Sequence, residues 1–228
     1  SNKYNGTLII KNSVIELDYL INKGTMALEN STLTVKNGFS VGGRPASETE
    51  NGEDATATVD LVRSTLVVNR HNGMGLGYEA IGVMDVDATS TFETTLSFLV
   101  TAKGTMNIAG TAIVAGTLTN NGTINLTSEN ATLKAQEGLT VNSTVEGRDV
   151  SYADGVYSTK LGLKGKGTEA EPYLINNVNE LMAFRNSVNA GETKYNAPGV
   201  WVALGEDIDL EGTTWERGIG DGITATFD

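Results

Sequence analysis

Residues 4–17, YNGTLIIKNSVIEL, return eighteen positions later as residues 22–35, NKGTMALENSTLTV. Gly6/Gly24, Thr7/Thr25, Asn12/Asn30 and Ser13/Ser31 are kept, while Leu8/Met26, Ile10/Leu28, Ile15/Leu33 and Leu17/Val35 exchange one apolar side chain for another. A repeat this short cannot enclose a core of its own. Each copy must bury its apolar side against the next, which is the condition for a solenoid.

Further copies extend the pattern. Residues 30–41, NSTLTVKNGFSV, match residues 130–141, NATLKAQEGLTV, with Asn30/Asn130, Leu33/Leu133, Gly38/Gly138 and Val41/Val141 aligned without a gap. Residues 64–76, STLVVNRHNGMGL, align with a two-residue insertion that sets Asn72-Gly73 against Asn37-Gly38. Between these copies Gly104, Gly110, Gly116 and Gly122 recur every sixth residue, each followed by threonine. Met106, Ala112, Leu118 and Ile124 stand two places after the glycines, and Ile108, Val114, Asn120 and Leu126 four places after. That is the alternation of strands with one buried face, with glycine at the corners. Asn120 breaks the apolar row and reads as a turn residue before Asn121-Gly122.

Composition agrees. The 228 residues include 27 Gly and 29 Thr but only 3 Pro, a balance that favours many short strands and turns. The expected fold is all-β, a parallel β-helix; variable coil lengths and tolerated insertions favour the right-handed form over a strict hexapeptide coil. The formal charge of −12, with no basic stripe, argues against nucleic acid and against an anionic membrane surface as partners. No run is long and apolar enough to insert in a membrane. With no cysteine, disulfides, thiolate metal sites and thiol nucleophiles are excluded.

Two domains joined by a linker are expected: a β-helix over residues 1–160, a glycine-rich linker over 161–172, and a helix-capped start of a second β-helix module over 173–228. Asn177 is placed to cap a short helix near 178–189, with Val178, Leu181, Met182, Arg185 and Val188 on one side and Gly191 as its stop. Strands are expected to resume at Val200–Leu204 and Asp207–Leu210. Residues 44–58 read as an acidic loop thrown from one corner, and residues 69–82 as a second, glycine-containing loop.

The C-terminal wording is the most distinctive. GKGTEAEPYLI, residues 165–175, followed by Glu180-Leu181, and DIDLEGTTW, residues 207–215, with Ile219-Gly220, resemble the opening of repeats in β-helical (pectin-lyase-like), adhesin-like bacterial surface proteins. Residues 149–157, DVSYADGVY, resemble the closing strand pair of a module in such proteins. Arg217-Gly218 departs from a more usual proline before Ile-Gly. The resemblance implies export and surface display, assigns no catalytic residue, and makes the second module read as an incomplete part of a larger, multi-module protein.

Candidate chemistry is sparse. His71 is the sole histidine, and no G-x-S-x-G elbow accompanies it. GLGYEA, residues 75–80, matches G-x-G-x-x-A but leads into a strand pattern, where a dinucleotide site needs a helix. Asp85/Asp87 and Asp207/Asp209 are outward pairs on strands, the former with Met84, Val86 and Ala88 facing inward. Such pairs could bind calcium, the one cofactor admitted here, or serve as acid and base in glycan cleavage. More often they are solvated outward positions. Trp201 reads as core or cap and Trp215 as either core or surface. The triplets at Asn5, Asn30, Asn121, Asn125, Asn130 and Asn142 read as turn chemistry. The leading expectation is a non-enzymatic extracellular or cell-surface module that displays loops to polysaccharide or host proteins. A carbohydrate-active β-helix and a purely structural stalk are the alternatives.

Overall fold

The computed structural model describes residues 6–50, 52–70, 75–145, 147–210 and 218–220. They fall into two compact units, Ser1–Val145 with Val150–Thr159, and Glu146–Asp149 with Lys160–Asp228. The first is a β-solenoid of parallel coils with three sides. Side one stacks Thr7–Lys11, Thr25–Glu29, Thr56–Val62, Ile81–Val86, Gly104–Ile108, Thr123–Leu126 and Asn142–Ser143, in that order. Side two begins with the first halves of the long strands Val14–Asn22 and Thr32–Val41. It continues through Thr65–Val68, Thr91–Thr94, Thr111–Val114 and Thr132–Lys134. Side three takes the second halves of the two long strands, then Gly75–Leu76, Phe98–Val100 and Leu118–Asn120. The register shift between Leu17 and Tyr19 marks the bend from side two to side three.

The sequence repeat is the stacking register. Leu8 pairs with Met26, Ile10 with Leu28, Ile15 with Leu33 and Leu17 with Val35. The two-residue insertion in the third copy is also real, since Leu33 faces Leu66 and Val41 faces Leu76. The glycine hexads are the three sides of one coil: Thr105 and Thr123 pair on side one, Thr111 lies on side two, and Leu118 on side three. Thr105 and Thr123 are 18 residues apart, but Thr25 and Thr58 are 33 apart. The extra length leaves the barrel between strands as the loop of residues 42–55, which exits where a Cβ on Gly42 would strike the Tyr78 carbonyl.

One corner is held by serines. Ser31 Oγ accepts from Ser13 N at 3.1 Å, Ser64 Oγ from Ser31 N at 3.0 Å, and Ser90 Oγ from Ser64 N at 2.9 Å. Ser31 and Ser64 hydroxyls donate to Glu29 O and Val62 O within their own coils. The column satisfies backbone groups where the chain turns away from both adjoining ladders. The preceding residues Asn12, Asn30 and Arg63 carry φ near 50°, a left-handed bend that Asn tolerates and Arg rarely adopts. Asp87 Oδ2 accepts from Arg63 N at 3.1 Å and helps hold it there.

Inside, Met26, Met84, Met106 and Ile124 line side one, and Phe39, Phe92 and Phe98 meet across the axis, with ring centroids 5.0 Å apart for Phe92/Phe98 and 6.0 Å for Phe39/Phe98. Asn120 closes a strand rather than a turn. Its Oδ1 accepts from Gly122 N at 3.1 Å and its Nδ2 donates to Thr140 O at 2.9 Å. Buried Asn22 forms the same contact with Gly24 N, 3.4 Å, at the other end of the stack Asn22–Val41–Leu76–Val100–Asn120. Ala88 faces solvent, because the strand ends at Val86 and the Asp87–Ser90 turn intervenes.

Strand Val156–Leu161 pairs antiparallel to Thr132–Lys134 and is hydrogen-bonded to Arg148–Ala153, with a turn at Asp154-Gly155 (φ 51° and 80°). The hairpin's Tyr152 and Tyr157 rings meet at 4.6 Å with a tilt of 49°, and Tyr157 OH both accepts from Leu139 N and donates to Gln136 O. This strand pair reverses the parallel ladder and covers its last coil on side two.

The second unit has its own small core of Leu163, Ile175, Phe184, Val188 and Tyr195. Its helix spans Val178–Asn189; Asn177 Oδ1 accepts from Glu180 N at 2.9 Å, and Gly191 follows with φ 74°. The buried face keeps Val188, with Leu181 packed beside it, from the expected one, and adds Phe184 and Ser187 in place of Val178, Met182 and Arg185. The Glu180 carboxylate accepts from Asn176 N at 2.7 Å, one residue before the cap, which turns Glu180 inward. Strand Tyr173–Ile175 pairs in parallel with Val202–Leu204, whereas residues 207–210 form no strand. Within 161–172, expected as linker, Leu163 is buried in this core and Lys164 bridges Leu174.

Phe98 is 1% exposed between two other rings. Phe98→Ala should lower unfolding free energy by about 3–5 kcal/mol. Val14→Ala, at an 87% exposed position, should change it by less than about 0.5 kcal/mol. Urea denaturation of both variants checks the contrast.

Candidate functional site

On side one, the outward position that is Ala27 in the second coil becomes Asp60, Asp85, Asn107, Asn125 and Asn142 in those above it. The amides point one way. Asn142 Nδ2 donates to Asn125 Oδ1 at 3.4 Å, Asn125 Nδ2 to Asn107 Oδ1 at 2.8 Å, and Asn107 Nδ2 to Asp85 Oδ1 at 2.7 Å. The relay ends on two carboxylates with no further amide donor between them. Burial raises the Asp60 pKa, and the Asp85 charge and a hydrogen bond between the two acids raise it further.

The candidate pair Asp85/Asp87 is thereby divided. Asp85 belongs to the relay, while Asp87 lies past the strand end and accepts from Thr89 N (2.9 Å), Thr89 Oγ1 (3.0 Å) and Arg63 N. Burial works against the Asp87 charge, yet hydrogen bonds from Ser90, Thr89 and Arg63 outweigh it and hold the pKa below the usual value. Asp207 and Asp209 are both exposed. Trp201 is 50% exposed, neither core nor cap, since its carbonyl rather than its ring serves the fold by accepting from Tyr173 N. His71, Trp215 and Asn72-Gly73 lie outside the described residues. Gly75-x-Gly77 is followed by strand Ile81–Val86, and Gly77 lacks a Cβ because one would meet the backbone at Lys103-Gly104. Asn125 and Asn142, expected in turns, stand in the relay; Asn30 does occupy a corner, donating to Asn12 Oδ1 at 2.8 Å.

In the acidic loop, Asp54 Oδ1 accepts from Ala46 N at 2.7 Å and Oδ2 meets Lys103 Nζ at 2.6 Å. The Lys103 ammonium, then the Ala46 amide, hold its pKa down.

The second unit contains an open cleft of about 400 Å³ that the sequence gave no reason to expect. Arg148, Asp149, Lys164, Tyr173 and Lys194 line it. Lys194 Nζ lies 2.6 Å from both Asp149 oxygens, 5.4 Å from the Tyr173 ring centre and 5.2 Å from that of Tyr195. Tyr195 OH donates to Asp149 Oδ2 at 3.2 Å and accepts from Leu163 N at 2.9 Å, which ties the cleft to the core. Burial opposes the Lys194 charge, but its hydrogen bond to Asp149 and the neighbouring acidic groups prevail and raise its pKa. Burial raises the Tyr195 phenol as well, partly offset by the Leu163 amide. The residues come from three segments distant in sequence, so only folding brings them together.

No family model, curated protein or solved structure matches the chain. Among the described residues, no group of three or more His, Asp or Glu side chains is placed to hold a metal ion, and no helix is long and apolar enough to cross a membrane.

Asp60 binds its proton more tightly in the folded state than in the unfolded one, so stability falls as pH rises from the unfolded carboxylate value near 3.8 through the folded value. Asp60→Asn should therefore stabilise the protein at pH 7, by up to about 1 kcal/mol, the scale of one cross-strand pair. The gain should shrink as pH falls towards 3.8. Thermal melts of both proteins across that range measure it.

Proposed function

We propose that the chain is a non-enzymatic, extracellular, adhesin-like module that presents side chains and loops from a stiff β-solenoid to saccharide or host-surface ligands. The observation that carries this reading is the fate of the carboxylates. Asp87 holds a corner and Asp85 accepts from the amide relay, so both acids of the most reaction-like pair are tied to the architecture. The coil stack supports the reading further. It fixes outward rows in place, and loops such as residues 42–55 leave it without disturbing the registers on either side. The C-terminal resemblance fits surface display in a larger, multi-module protein.

A second reading, polysaccharide cleavage, draws on one observation: Asp60 and Asp85 are register neighbours on one strand face, and burial and the Asp85 charge raise the Asp60 pKa, the direction an acid of an acid–base pair needs. A glycan and host-matrix binding screen, run beside a turnover assay with polysaccharides and added calcium, separates the readings. The display module should retain at least one saccharide or surface ligand and release no new chain ends. Turnover that Asp60→Asn abolishes would overturn it in favour of the enzyme.

A further inference from the structure

The corner built on the serine column opens outward as a groove of about 330 Å³, at the lower end of the range of small-ligand sites, about 300–1,000 Å³. Ser13 and Ser31 lie between two rows that run along the coil stack. Asn12, Asn30 and Arg63, the residues before the serines, make one row. Val14, Thr32 and Thr65, the residues after them, pair strand to strand as the other. Two steps at the usual strand spacing make each row about 10 Å long.

The serine hydroxyls are engaged with backbone carbonyls, but the side chains of the two rows are not. Asn30 Nδ2 donates to Asn12 Oδ1 at 2.8 Å, which leaves Asn12 Nδ2 and Asn30 Oδ1 without partners among the described residues. The Thr32 and Thr65 hydroxyls make no hydrogen bond there either, whereas those of Thr111 and Thr132, higher in the same row, bond to each other at 3.3 Å. Arg63 is the informative member. Its φ of 49° is one that Asn accepts and Arg rarely adopts, and the two coils below use Asn at this point. Asp87 supplies an acceptor to the Arg63 backbone N–H, while the Arg63 guanidinium has no ion pair or hydrogen bond among the described residues. An unfavourable backbone conformation kept for a side chain that the fold does not use points to a ligand.

Resting on the display reading above, we infer that this groove binds a short neutral saccharide. Arg63 and the Asn12 amide donate to its hydroxyl oxygens, Asn30 Oδ1 accepts from a hydroxyl, and Thr32 and Thr65 can do either. Val14, 87% exposed at the end of its row, meets an apolar C–H face of a sugar ring. Recognition is by directed hydrogen bonds and not by charge. The Asp87 carboxylate balances Arg63, and the field of a chain with formal charge −12 opposes an acidic glycan.

Calorimetry on the full chain tests this with neutral tetrasaccharides of glucose, mannose and N-acetylglucosamine, beside an acidic tetraglucuronate. At least one neutral probe should bind, more tightly than the acidic one and with an affinity insensitive to added salt. Arg63→Asn, which restores the residue of the lower coils, should raise the melting temperature yet weaken binding about tenfold, the scale of one or two lost hydrogen bonds. Thr65→Val, which keeps the side-chain shape, should weaken it in the same direction, and its melting temperature reports whether it folds. Binding that survives both substitutions, a lower melting temperature for Arg63→Asn, a tighter acidic probe, or no bound neutral probe would overturn the inference and leave the display reading standing. Absence of any saccharide or surface ligand in the binding screen would count against both.

Discussion

Every ladder hydrogen bond on the three sides of the solenoid joins one coil to another, so no coil is satisfied alone. This single constraint explains most of what the sequence carries. A coil must place apolar residues at most inward positions, with Asn22 and Thr94 as buried exceptions, because the axial interior receives side chains from all three sides. It must also repeat its corner chemistry, because the turns leave backbone groups between ladders. The Ser13–Ser31–Ser64–Ser90 column meets that second demand by accepting one amide from the neighbouring coil and returning a hydroxyl hydrogen bond to its own. Where the column ends, Gly110 follows at the same corner, where a Cβ would strike the Asp87 and Ser90 carbonyls. Length, by contrast, is unconstrained between strands, which is why coils of 18 and 33 residues share one register.

Much of this was legible in the sequence because stacking copies local spacing directly into contact. The alignment of Leu33 with Leu66 and of Val41 with Leu76 is a sequence alignment and a strand pairing at once. The helix was equally readable from Asn177 and Gly191, since caps are local. Its inward face was readable only in part: Leu181 and Val188 were placed on it, but Phe184 is turned inward by a small core built from Leu163, Ile175 and Tyr195, residues distant in sequence. Asn125 and Asn142 were misplaced for a related reason. A triplet pattern describes neighbours along the chain, whereas their amides bond across coils. The cleft of the second unit gave no sequence signal at all, since Arg148, Lys164, Tyr173 and Lys194 share no motif and meet only through tertiary structure.

The acidic surface acquires a more specific meaning from the same logic. Asp87 secures the left-handed bend at Arg63, Asp54 ties the long loop to Lys103, and Asp149 organises the cleft around Lys194 and Tyr195. These carboxylates work as acceptors for donors that the fold must satisfy. Asp60 is the exception, stacked beside Asp85 at the end of a one-way amide relay, where a second acceptor instead of a donor raises its proton affinity.

The stacking itself is open to a direct distance measurement. Thr7 and Thr123 are both exposed on side one, in the first strand and the sixth, with strands at Thr25, Thr58, Val83 and Thr105 between them. Five steps at the usual strand spacing of about 4.8 Å place the two positions about 24 Å apart. Spin labels at Thr7 and Thr123, read by pulsed dipolar spectroscopy, should give a narrow distribution centred near that distance. A broad distribution, or one centred well away from it, would contradict the coil stack on which the whole account rests.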